Sequence, residues 1–200
     1  MSMRDVNLRL TGIFGLALML TGCGTALTGS QPAALDTVTL DANSVVKPAR
    51  KSNVQILIAD PKALKIYDSQ NIVVATSATG LEYLGGTQWA DRLPSLVQAK
   101  LAEALQNAGY AGVGLPGQGL AIDYQLILEI RDFSVRTDAG NKANVSIQVK
   151  LLNDRNGDVA ASRVFEASSP ASAGNFPAAL NAAFAEVSGD IVVWVSKSIR

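Results

Sequence analysis

The chain has no histidine and a single cysteine, and its 17 Lys and Arg residues are matched by 17 Asp and Glu. The missing histidine removes the commonest zinc ligand, the Ser-His-Asp and Cys-His nucleophile arrangements, and the general base that titrates closest to neutral pH. The chain therefore reads as a non-enzyme without metal or cofactor. Asp and Glu alone can hydrolyse glycosides, but no spacing marks such a pair. The lone thiol, Cys23, cannot form an internal disulfide, so stability has to come from packing. Balanced charge leaves no basic excess to neutralise a phosphate backbone, and aromatic and basic residues do not interleave along any strand, so nucleic acid is not an expected partner.

The N-terminus carries what the composition does not. Arg4 and Arg9 flank a short apolar run over residues 10–20, interrupted by Thr11 and small glycines. That run is about half the ~20 residues a membrane-spanning helix needs, and it follows the layout of a secretory signal. Leu20, Thr21, Gly22 and Cys23 come next and resemble the lipobox of bacterial lipoproteins. Small side chains admit the extended backbone to a peptidase cleft, and the thiol receives diacylglycerol. Residues 1–22 are thus expected to be cut away, leaving Cys23 as the lipidated first residue. Residues 23–52, with Gly29, Ser30, Pro32 and Pro48, read as a linker. Residues 53–200 remain for one domain.

Within that domain, residues 54–59 and 71–76 read as strands, with an optional earlier one at 37–40. Apolar residues at Leu93, Leu96, Val97, Leu101, Ala104 and Leu105 follow one helical stripe. Pro94 belongs in its first turn, Trp89 to Arg92 form a lead-in turn, and Gly109 supplies the stop. Ile122, Tyr124, Leu126, Leu128 and Ile130 alternate with polar residues, Ile127 excepted, and Val145, Ile147, Val149 and Leu151 repeat the pattern. Asn156 and Gly157 mark a hairpin leading into a strand over 159–165. A second helical stripe runs over 176–195, with Asn175 as N-cap. The order β-β-α-β-β-β-α, with sheets wet on one face, predicts an α+β two-layer sandwich: a mainly antiparallel sheet with two helices packed on one face.

Several short stretches match known motifs only in part. Gly112, Gly114 and Gly117 spell Gly-x-Gly-x-x-Gly but follow a helix and precede a strand, the reverse of a dinucleotide fingerprint, so they read as a loop. Residues 153–158 lack the acidic spacing and closing glutamate of a calcium loop. Ser44 and Lys47 match Ser-x-x-Lys without partner motifs. Trp89 and Trp194 sit on apolar stripes, where core packing is the default and a partner interface the alternative. Glu129 and Arg131 read as a solvated sheet face.

The stretch Gln88, Trp89, Ala90, Asp91, Arg92, Leu93, Pro94, Ser95, Leu96, Val97, Gln98 is similar to the helix start of the ABC-type transport auxiliary lipoproteins. Tyr83 and Leu84 precede it as in that family. The resemblance continues through residues 124–133, Val164, Phe165, Pro170, Phe184 and residues 193–195. Val38 stands where the family often has an aromatic residue, which puts the first strand in question. The resemblance implies a periplasm-facing lipoprotein working with an MCE-family lipid-binding protein, an ABC permease and an ATPase. Tyr83, Trp89, Asp91 and Arg92 are the candidate partner surface, with homo-oligomers and bound lipid as further options. Gly24, where an aspartate would favour the inner membrane, points to an outer-membrane anchor. A docking subunit is the leading expectation; a lipid carrier and a structural outer-membrane lipoprotein assisting a β-barrel are the alternatives.

Overall fold

The computed structural model describes residues 34–41, 52–138 and 140–199. The signal, the lipobox Leu20 to Cys23, Gly24, and Ser44 with Lys47 lie outside the described residues.

The spine of the sheet is β7 (Tyr124–Arg136), which pairs along its length with β8 (Lys142–Asn153), and β8 in turn with β9 (Val159–Pro170), both antiparallel. Three shorter strands run in succession along the other side of β7, all parallel to it. They are β2 (Ser52–Ile58) against Tyr124 to Leu126, β3 (Lys62–Ala63) against Glu129 and Ile130, and β4 (Asn71–Ala75) against Ser134 to Arg136. The sheet then forks. Outside β2 lies β6 (Tyr110–Gly114), parallel to it; outside β4 lies β5 (Leu81–Trp89), antiparallel, followed by β1 (Asp36–Val38), parallel to β5. The helices α1 (Leu93–Asn107) and α2 (Phe176–Ser198) share one hydrophobic core with a single face of this sheet.

The α+β class and the two core helices agree with the sequence reading, but the sheet is mixed rather than mainly antiparallel. The long ladders are antiparallel, whereas five of the eight described pairings are parallel. Besides the optional first strand, three strands are additional to the expected order: β5, β6 and the two-residue β3. In β5 the Gly85–Gly86 pair breaks the alternation that marks a strand. Of the three glycines that read as a loop, Gly112 and Gly114 lie in β6 and Gly117 in the turn after it; Gly112 is required by packing, since a Cβ there would lie 2.7 Å from the Val54 carbonyl oxygen on the neighbouring strand. Glycine inside a strand marks such close backbone approach.

A bulge in β7 explains a second departure. Leu126, Leu128 and Ile130 are buried, and after the register shift between Ile130 and Asp132 the buried positions become Phe133 and Val135. One extra residue inverts the side-chain phase, so β7 continues to Arg136, well past the end of simple alternation. Phe133 then meets Trp89 edge-on, with ring centroids 5.9 Å apart, and Phe184 of α2 at 6.1 Å.

The helix ends are as the residues dictate, with one exception. Pro94 lies in the first turn of α1, and Gly109 follows the C-cap at φ +103°, a left-handed conformation glycine adopts without strain. Asn175 stands at the N-cap of α2 but does not cap it, because its Oδ1 accepts the Ser172 N–H at 2.7 Å. By length and composition α2 could cross a membrane, yet Leu180, Phe184, Val187, Ile191 and Val195 are buried in the core. The Asn153 to Asp158 segment is a hairpin turn, closed by the Asn153 N–H donating to the Asp158 carbonyl at 2.8 Å, with Gly157 at φ +77°.

Candidate functional site

The segment that carried the family resemblance builds a corner. Trp89 ends β5 rather than leading into the helix; its N–H donates to the Gln70 carbonyl at 2.7 Å and its ring is 1% exposed. It is therefore a core residue in this fold and is withdrawn from the expected partner surface. Asp91 Oδ1 accepts the Arg92 N–H at 2.6 Å, and the Arg92 guanidinium pairs with Asp68, Nε lying 3.0 Å from Oδ1. The Leu93 N–H donates to the Ser69 carbonyl at 3.0 Å. These bonds clamp the 64–70 connection to the start of α1. Asp91 and Arg92 are exposed but engaged locally, while Tyr83, 49% exposed, lies apart from them on the β5 edge.

Around Tyr83 the sheet is incomplete. Between Asn71↔Gln88 and Val73↔Tyr83 the β4–β5 ladder skips, leaving residues 84–87 as extra chain, with Gly86 at φ +77°. β1 covers β5 only at Thr87 to Trp89, so Leu81, Glu82 and Tyr83 have a strand on one side alone among the described residues. β1 is held by the Ala90 N–H on the Val38 carbonyl at 2.7 Å, and the adjoining Asp41 N–H donates to Asn181 Oδ1 of α2 at 2.6 Å. Where β1 and β5 meet the start of α2, a groove of about 500 Å³ opens, walled by Val38, Leu84, Phe176 and Pro177 with Asp36 and Gly85 at its rim. A Cβ at Gly85 would meet nothing within 4 Å, so the lining there stands in open space. The sequence reading did not find this groove, since its walls come from three distant segments; the Gly85–Gly86 pair inside a strand was the available signal.

Polar groups inside the domain are structural. The Tyr67 hydroxyl donates to Asp132 Oδ1 at 3.0 Å, and the Ser134 hydroxyl donates to the same oxygen at 2.6 Å. Burial first, then the Asp132 carboxylate, pushes the Tyr67 phenol up to about 12. Gln98 Nε2 donates to the Ile58 carbonyl and to Asp60 at 3.0 and 3.1 Å. The Gln55 N–H and the Arg155 guanidinium hold the Asp123 carboxyl below the usual range. Among the described residues no buried side-chain polar atom lacks a partner, and no three acidic or thiol side chains cluster as a metal site. Glu129 and Arg131 are exposed on the open face of the sheet.

A family model of the ABC-type transport auxiliary lipoprotein component matches residues 38–192, from β1 to the last turns of α2. The chain belongs to this family. A protein of Bradyrhizobium diazoefficiens, bll6063, is 31% identical over 174 residues, covering 83% of this chain. The chain spans about half the length of that relative, 46% of it. Among solved structures, protein XCC0632 from Xanthomonas campestris superposes with a TM-score of 0.68 at 25% identity, over 82% of this chain and 92% of its own. A second crystal structure, of an uncharacterized protein, shares the fold with a TM-score of 0.60 at 16% identity, over 81% of this chain and 99% of its own. The match covers most of the described domain, starting at the last residue of β1; that first strand forms at Asp36–Val38 even though Val38 is not aromatic.

Proposed function

We propose that this chain is the lipid-anchored, non-catalytic accessory subunit of an MCE-type ABC system that moves lipid across the envelope, docking onto or stabilising the transporter from the periplasmic side. The family match over residues 38–192 carries this reading, because it spans most of the described domain rather than one motif. The Leu20 to Cys23 lipobox supports a diacylglycerol thioether on Cys23 as the anchor, and Gly24 favours the outer membrane. Two or more acyl chains hold such an anchor stably in a bilayer. The partners are then an MCE-family lipid-binding protein and the permease, with the ATPase behind it.

The reading is tested by mild crosslinking of the full-length protein in its own membrane, followed by co-purification. Recovery of the MCE protein or the permease supports it. Their absence under conditions that retain the lipoprotein refutes it.

A further inference from the structure

The open edge of β5 and the groove beside it lie next to one another, and together they ask for a particular kind of ligand. We propose that they form one docking surface whose occupant is an extended segment of a partner protein, apolar at alternate positions and carrying a basic side chain. The proposal rests on the accessory-subunit reading for the partner's identity and on the geometry for everything else.

Leu81, Glu82 and Tyr83 pair with β4, and β1 begins only opposite Thr87. Upstream of that point, the outward main-chain N–H and C=O groups of β5 have no strand partner among the described residues. A polypeptide strand satisfies such groups and a hydrocarbon chain does not, which favours a peptide over a lipid. Leu81 and Tyr83 are 43% and 49% exposed and stand two residues apart, hence on one face, the period at which an added strand presents its own side chains. The groove of about 500 Å³ flanks the same strand with the apolar walls Val38, Leu84 and Phe176, and is large enough to take side chains from the added segment. Its one acidic or basic lining residue is Asp36, and Glu82 lies on the edge itself, so charge complementarity calls for a basic side chain in the added segment.

The longer open edge, β9, is a poorer template. Arg163 and Glu166 stand near its middle and Pro170 ends it, which are devices that discourage strand addition. The groove bordering it is lined mostly by polar side chains, among them Asp132, Ser146, Glu166 and Glu186, with Val145 and Ala167 its apolar members.

The experiment places benzoylphenylalanine at Leu81 of the full-length lipoprotein in its native envelope and identifies the photoadduct by peptide mass spectrometry. The expected result is one crosslinked peptide from another envelope protein, with apolar residues at alternate positions and a Lys or Arg. Tyr83→Lys or Gly85→Leu should each lower the adduct yield by about tenfold or more, whereas Val164→Lys on β9 should leave it unchanged. Both variants should melt like the parent, because Tyr83 is exposed and a Cβ at Gly85 meets nothing within 4 Å. An adduct on lipid, on a second copy, or on this chain's own residues before Ala34 overturns the proposal. No adduct, or an adduct indifferent to both substitutions, does the same. If the peptide belongs to an envelope protein outside the transporter, the docking surface stands and the accessory-subunit reading falls. If co-purification recovers the MCE protein or permease but position 81 never crosslinks, the reverse holds.

Discussion

Replacing Tyr67 with Phe should destabilise the domain and flatten its loss of stability in alkali, both by amounts the structure sets. Tyr67 is 5% exposed, and its hydroxyl donates to the Asp132 carboxylate at 3.0 Å. A hydrogen bond to a charged acceptor contributes about 1.5–3 kcal/mol, and Asp132 keeps the Ser134 hydroxyl as a donor, so the low end, roughly 1.5 kcal/mol, is expected near pH 8. The alkaline effect arises from the raised phenol, about 12 against 10.0 for an ordinary tyrosine. The unfolded chain ionises Tyr67 first as pH rises, so the stability tied to the neutral phenol is complete below pH 10.0 and is lost between there and about 12. By pH 11 the parent should have lost about 1.4 kcal/mol more than Tyr67→Phe, measured from pH 9. Every other tyrosine is common to both proteins, so the difference isolates this one. Urea unfolding at pH 8, 9 and 11, followed by tryptophan fluorescence, reads both quantities. Equal stability at pH 8 together with parallel alkaline slopes would refute the assignment of this network.

The remaining predictions concern the anchor, the core and one acid-sensitive contact. Cys23→Ala should leave the melting temperature unchanged but abolish signal processing and lipid-dependent membrane retention; a processed mutant that survives salt washing of membranes would count against the lipobox. Trp89→Ala should cost roughly 3–5 kcal/mol in denaturant unfolding, because the ring is buried against Phe133, whereas Tyr83→Ser should stay within about 0.5 kcal/mol. Gly112→Ala should cost on the order of 1–3 kcal/mol, since the new Cβ would press on the Val54 carbonyl, and a neutral result would show that β2 and β6 can separate. Asp123 contributes stability above its unfolded pKa that is lost as pH falls through its lowered folded value, so Asp123→Asn should unfold with a weaker acid dependence than the parent; identical acid midpoints would argue against the Gln55 and Arg155 contacts.

The strands over 145–151 and 124–130 and both helices were legible because each buries one side at a regular period, which local sequence displays directly. The continuation of β7 beyond Ile130 was not legible, since a single bulged residue inverts the phase and makes Phe133 and Val135 the core residues. β5 and β6 were hidden for a related reason. In β6, Gly112 reports on the neighbouring backbone at Val54, and in β5 Gly86 takes a φ of +77° where the ladder skips; no period within either strand encodes these features. Of the residues expected at a partner surface, Tyr83 is on an open edge, Asp91 and Arg92 serve the α1 corner, and Trp89 is in the core.

Composition and local pattern were enough to establish the absence of histidine chemistry, the apolar faces that demand an α+β core, and the family, through a run of residues around Trp89 that forms one continuous corner. These are local or compositional properties, readable wherever they stand in the chain. The parallel pairings along β7, the burial of Trp89, and the groove between β1, β5 and the start of α2 arise from long-range packing. Each of those depends on segments tens of residues apart meeting at a fixed register, and register is set by the packing of the whole sheet against its helices rather than by any one strand.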